Sequence, residues 1–132
     1  MARLILDTTV LIAAERARSG LSDALGDEDD VAIAAITAAE LLVGVELADA
    51  RRRSPRNAFV QAVLAEVRVE SYDIETARVH ATLLAHTRRA GRPRGAHDLL
   101  IAATAIATGR RLITTDAAGF ADLPGLELRA LT

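Results

Sequence analysis

The chain has 132 residues, enough for one domain around a single core and too few for two. Hydrophobic residues make up 51% of it and aromatics only 2%, so the core must be aliphatic, and a base-stacking platform of exposed rings is disfavoured. The absence of cysteine rules out disulfides, thiolate metal sites and a cysteine nucleophile together.

No segment approaches the roughly 20 apolar residues that a membrane helix needs. The apolar N-terminal stretch is interrupted by Asp7, which argues against a signal sequence, so a cytoplasmic protein is expected. A net charge of −2 argues against a general nucleic-acid coat protein. All 16 basic residues are arginine, clustered at Arg51, Arg52, Arg53 and Arg56 and again at Arg88, Arg89, Arg92 and Arg94. Arginine suits bidentate contacts with phosphate or carboxylate. The ordinary reading is a coding bias that places arginine wherever a surface cation is tolerated.

In chain order, residues 3–6 read as a strand ending at Asp7, followed by a helix over 10–18 and a short helical piece over 21–25. Gly26 and the acidic run 27–30 make a turn before a second strand over 31–36. Thr37 then opens a helix running to residue 50, with Leu41, Val45 and Ala48 at helical spacing. Ser54-Pro55 breaks the chain and starts another helix, with an apolar stripe of Phe59, Val60, Val63, Leu64 and Val67. Residues 68–71 read as a third strand. Asp73 caps a long helix to residue 90, with Ile74, Ala77, Ala81 and Leu84 on its inner face. A loop over 91–95 leads into a helix over 96–108 that is apolar almost all round, as a buried helix is. Gly109 ends it. A fourth strand over 112–115 ends at Asp116, and 126–131 reads as an edge strand. Short apolar strands alternating with helices indicate an α/β fold, a parallel sheet covered on both faces. Ligands in such sheets bind beyond the carboxyl ends of the strands.

Asp7, Glu40, Asp98 and Asp116 all map to that edge. Each has an ordinary explanation. Asp7 and Asp116 follow strands, where a carboxylate often caps the next helix. Thr37-Ala38-Ala39-Glu40 fits a capping box, and Asp98 sits where the helix dipole favours an acid. Their combination is harder to explain without a cation. Gathered carboxylates repel, and some must take up protons. A hard divalent ion with oxygen ligands, Mg²⁺ or Mn²⁺, removes that cost and can promote attack of water at phosphorus.

Four blocks carry a resemblance: Leu4-Ile5-Leu6-Asp7-Thr8-Thr9, Thr37-Ala38-Ala39-Glu40-Leu41-Leu42, Gly95-Ala96-His97-Asp98-Leu99-Leu100 and Leu112-Ile113-Thr114-Thr115-Asp116. In this order they resemble the PIN-domain ribonucleases, and more closely the VapC toxins of type II toxin–antitoxin pairs. The resemblance runs from Arg3 to about Leu128. It implies one PIN domain over 1–132, a three-layer α/β/α fold with a parallel sheet of four or five strands. It also implies cleavage of RNA dependent on Mg²⁺ or Mn²⁺, neutralisation by a small VapB-like antitoxin, and a homodimer. On the matching motifs Asp7, Glu40, Asp98 and Asp116 are the catalytic and metal-site acids, and Thr114 is a supporting hydroxyl. Asp7 and Asp98 are expected to contact the metal directly.

Arg92 and Arg94, just before Asp98, are the candidates for contacts with RNA phosphates. His80 and His86 are six apart, a spacing that does not pair metal ligands on one helix face, and read as surface residues. His97 reads as a helix-start residue or an RNA contact. The helices over 37–50 and 55–67 carry enough apolar surface for a groove that takes an antitoxin helix or a second copy. Two rival readings differ in class. A phosphotransfer domain of the receiver kind needs a lysine, which this chain lacks. A PIN-like interaction module without activity has no need of all four acids.

Overall fold

The computed structural model describes residues 2–17 and 29–131. The predicted piece over 21–25 and most of the acidic turn fall outside them. Five parallel strands, β1 (Arg3–Leu6), β2 (Asp30–Ala34), β3 (Arg68–Glu70), β4 (Arg111–Thr114) and β5 (Leu128–Ala130), form one sheet in the order β3-β2-β1-β4-β5. Helices α1 (Thr8–Ala17), α2 (Ala35–Leu47), α3 (Ala50–Glu66), α4 (Ile74–Ala90) and α5 (Ala96–Ala107) connect them. Among the described residues no helix is long and apolar enough to cross a membrane.

Strand alternation sends side chains to opposite faces. Leu4 and Leu6 of β1 join Ile33, Leu11, Leu41 and Val60 in one apolar layer, while Ile5 joins Leu83, Leu99, Ile101 and Leu112 in the other. The three-layer α/β/α expectation is met, with five strands. In α5, Ala102, Ala103 and Ala105 are fully buried, and their small size lets the helix lie close to the sheet.

β1 pairs with β2 on one side and β4 on the other. The connection from β3 to β4 therefore carries the chain across the sheet, and the strand order reverses at β1. The crevice at such a reversal, outside the carboxyl ends of the strands, is where open α/β sheets bind ligands. At the amino ends, Arg110 is buried beneath the sheet. Its Nη1 donates to Leu4 O (3.1 Å), Asp30 O (2.9 Å) and Asp30 Oδ1 (3.1 Å), and its Nη2 to Glu70 Oε1 (3.1 Å). One side chain thus ties three strands together.

Several boundaries differ from the sequence reading. β2 ends at Ala34, and α2 begins at Ala35 with Ala34 as an N-cap that makes no side-chain bond. Thr37 therefore lies inside the first turn, fully buried. The capping box does not form. Pro55 is inside α3 instead of starting it, because Asp49 caps the helix earlier by accepting from the Arg52 amide at 2.9 Å. A proline there forfeits the bond it would have donated to Arg51, and the helix continues. Arg53 and Arg56 donate to the carbonyls of Glu46, Ala48 and Gly44, satisfying the C-terminal end of α2.

Asp73 caps α4 as expected, accepting from the Thr76 amide at 3.0 Å. The inner face is rotated from the predicted one, with Thr76, Leu83 and Thr87 buried and Ile74 64% exposed. A Leu83→Ala variant should accordingly lose about 2–5 kcal/mol of stability in urea denaturation. Ile74→Ala should stay within about 0.5 kcal/mol of the parent. The reverse ranking would mean that α4 is phased as the sequence pattern suggested.

Candidate active site

The site sits at the strand reversal. Asp7, 2% exposed, follows β1, and its amide donates to Ile113 O of β4 at 3.1 Å, which fixes its backbone at the strand end. Its Oδ1 accepts from Thr9 Oγ1 (2.6 Å) and the Val10 amide (3.2 Å). Its Oδ2 accepts a short hydrogen bond from Thr114 Oγ1. Thr114 in turn accepts from the Asp116 amide at 2.9 Å, and Thr9 from the Thr115 amide at 3.2 Å. Two hydroxyls therefore lace the end of β1 to the end of β4. Asp7 does cap the start of α1, and it faces the site as well.

Glu40 is the sixth residue of α2, beyond the reach of a cap. Its Oε1 accepts from Thr8 Oγ1 at 2.9 Å, and its Oε2 lies 3.5 Å from His97 Nδ1. Asp98 is in the first turn of α5 and Asp116 precedes the 3-10 turn Ala117–Phe120, and neither helix start has a side-chain cap bond. The capping explanation for Asp116 falls away, while Asp98 keeps the first-turn position that the helix dipole favours. Both carboxylates converge on Gly119: a methyl group added there would stand 3.1 Å from Asp116 Oδ2 and 3.3 Å from Asp98 Oδ2. Gly95 also flanks Asp98, and a methyl group there would meet the same oxygen at 3.3 Å.

Electrostatics reports the same convergence. Partial burial raises the Asp98 carboxyl above its ordinary range, and the neighbouring charges of Asp116, Asp7 and Glu40 push it further in the same direction. Among the described residues no three such groups stand close enough together to hold a metal ion as they are placed. The donor set suits a hard divalent cation: carboxylate oxygens, no sulfur, and an excess of negative charge to be neutralised.

Sequence reading missed Thr8, Thr9 and the two glycines. The hydroxyls were in view, directly after a strand-end aspartate, but their partners lie far along the chain and leave no local signal. Arg92 and Arg94, expected to face phosphate, both engage the segment after Asp116. Arg92 pairs with Asp122 at 3.4 Å, while Arg94 donates to Ala118 O (3.2 Å) and Ala121 O (2.8 Å). His80 accepts or donates a 2.9 Å bond with the Tyr72 hydroxyl, away from any metal role.

A parallel α/β sheet whose strand reversal gathers acidic side chains defines a class of acidic-site proteins. Comparison with known sequences narrows it. The PIN domain family model matches residues 4–126. Ribonuclease VapC of Rickettsia bellii is 32% identical over 126 residues, 95% of this chain and 93% of that protein. Ribonuclease VapC5 of Mycobacterium tuberculosis is 39% identical over 113 residues, 85% and 82% of the two chains. The solved VapBC-5 structure from Mycobacterium tuberculosis, a member of the VapBC family of toxin–antitoxin systems, superposes with a TM-score of 0.80 at 31% identity, covering 99% of this chain and 100% of that one. The chain belongs to the PIN-domain family and, within it, to the VapC ribonucleases. Ribonucleases of this kind are in general dependent on divalent metal.

The raised Asp98 pKa has a consequence for the metal-free protein. The folded state holds this proton more tightly than the unfolded chain, so metal-free stability falls as pH rises from the unfolded value through the folded one. Above both values, Asp98→Asn should melt at a higher temperature than the parent in EDTA, with the gap closing in acid. Differential scanning calorimetry from pH 3 to 8 reads this directly, and a destabilised Asn variant at neutral pH would contradict it.

Proposed function

We propose that this chain is the ribonuclease toxin of a VapBC-type pair, cleaving RNA phosphodiesters with Mg²⁺ or Mn²⁺ at Asp7, Glu40, Asp98 and Asp116. The observation that carries the reading is the meeting, at one strand reversal, of four carboxylates from distant parts of the chain. RNA as the substrate is supported by relatives named ribonucleases.

When bound, the divalent ion supplies Lewis acidity, easing the ionisation of attacking water and offsetting charge at the phosphate. The protein supplies position. Asp7 is held by Thr9, Val10 and Thr114, so its carboxylate cannot swing away. Thr114 is the supporting hydroxyl, and Thr8 and His97 orient Glu40 from either side. Asp98 and Asp116 complete the cluster against Gly119. Arg92, with its side chain 70% exposed and a single long ion pair, can exchange Asp122 for an RNA phosphate.

A cavity of about 270 Å³ opens beside Thr8 and Glu40, walled by Ile12, Leu41, Phe59 and Val60 with Glu15, Arg16 and Arg56 at its margin. Next to it α2 exposes Leu42, Val43 and Leu47. An apolar segment of a VapB-like antitoxin fits this surface by the helix-in-groove mode. The solved VapBC-5 pair supports such a partner. A homodimer belongs to the same reading, with the apolar hollow between Ile36, Ala39, Tyr72 and Leu100 as a further surface available to a second copy.

The test is cleavage of total RNA with Mg²⁺ or Mn²⁺. EDTA should abolish it, and Asp98→Asn should reduce it more than about 100-fold, beyond the 10–100-fold typical of losing an outer-shell partner. Cleavage that persists in EDTA, or full activity in a folded Asp98→Asn protein, would refute the mechanism.

A further inference from the structure

Arg94 lies outside the acidic cluster, yet its guanidinium reaches across to the segment that completes it. Nη1 donates to Ala118 O at 3.2 Å and Nη2 to Ala121 O at 2.8 Å. These two carbonyls bracket Gly119 and Phe120. At the two ends of the 3-10 turn carrying Gly119, the Gly119 amide reaches Asp116 O at 3.3 Å, and the Ala121 amide reaches Ala118 O at 3.4 Å. Both are long. Phe120, 2% exposed, anchors the turn in the core, but one buried ring fixes depth without fixing rotation.

Gly119 is the part of this turn that faces the acids, close to Oδ2 of both Asp98 and Asp116. Gly95, the residue after Arg94, comes equally close to the same Asp98 Oδ2. Arg94 is therefore linked to both glycines that crowd the Asp98 carboxylate, to Gly95 through the main chain and to the Gly119 turn through its side chain.

We propose that Arg94 is a positioning residue of the acidic site, whose two-pronged hold on Ala118 and Ala121 sets the spacing of Asp98 and Asp116 and so the site's affinity for a divalent cation. This rests on the metal-dependent reading above. A planar guanidinium fixes two acceptors in one orientation, whereas a lysine ammonium at the same place is a single flexible point charge. Outer partners of this kind typically govern metal affinity by about 10–100-fold.

The sign of the effect separates this role from simple charge. Deleting a cation near a cluster of acids should, by electrostatics alone, leave Mn²⁺ binding unchanged or tighten it. Loss of a positioning contact should weaken it. Isothermal titration with Mn²⁺ alone is expected to show about tenfold or greater weakening for Arg94→Ala, with a partial loss for Arg94→Lys, both at melting temperatures near the parent's. Arg92→Ala, which removes a neighbouring charge, should not weaken binding. In EDTA, hydrogen exchange at the Gly119 and Ala121 amides should quicken in Arg94→Ala. Unchanged exchange, or Mn²⁺ binding in Arg94→Ala equal to or tighter than the parent's, overturns the role. A parent protein that fails to bind Mn²⁺ overturns the metal-dependent reading instead, and the exchange data then still decide whether Arg94 holds the turn.

Discussion

Carboxylates held close together in a half-buried place raise one another's energy, and much of this molecule is arranged around sustaining that arrangement. Asp98 carries the cost most visibly, because burial and three negative neighbours act on it together. Two unit charges about 4 Å apart interact by roughly 4 kcal/mol at the effective dielectric of a protein surface. A cluster of four left to itself would relax by rotating side chains into water. Asp7 has no such escape, being buried and bonded on both oxygens, and Glu40 is held by Thr8.

The sheet is what makes this arrangement possible. Its reversal at β1 creates a crevice with Asp7 on one lip and Thr114 and Asp116 on the other. The hydroxyls of Thr9 and Thr114 bind the lips together. Arg110 ties β1, β2 and β3 through a buried guanidinium whose two terminal nitrogens donate to Asp30, Glu70 and the Leu4 carbonyl, while its Nε has no partner among the described residues. Removing one partner of a buried pair typically costs about 3–5 kcal/mol, so this part of the sheet is also set firmly. The edge that carries the acids is thus tied through Thr9 and Thr114, and the strands behind it through Arg110.

The sequence pattern was most informative where periodicity and chemistry coincide. Strand β1, the buried helix α5 and the Asp73 cap were legible because apolar runs and a capping aspartate act locally. The start of α2 was not: Thr37 and Glu40 fit a capping box in letters, but the chain turns two residues earlier at Ala34 and Ala35 because tertiary packing buries Thr37. The phase of α4 was misjudged for a similar reason. Thr76 and Thr87 lie inward and Ile74 outward, an arrangement hydrophobicity alone does not suggest. Of the site, the four acids were legible as residue types at strand and helix ends. Their partners were not, since Thr9 meets Thr114 and Arg94 meets Ala118 only after folding. The direction of Arg94 in particular depends on where another loop comes to rest.

The crossing from β3 to β4 places the last major strand beside the first. β4 fills the position next to β1, so the centre of the sheet closes late in chain order while its β2 and β3 side can assemble from earlier residues. Asp7 and Glu40 precede Asp98 and Asp116 in chain order. A nascent chain that has reached β3 therefore carries two of these four carboxylates and an open edge at β1. The four acids can meet only once β4 has joined β1, so chain order itself places the gathering of the acidic cluster after the β2 and β3 side of the sheet.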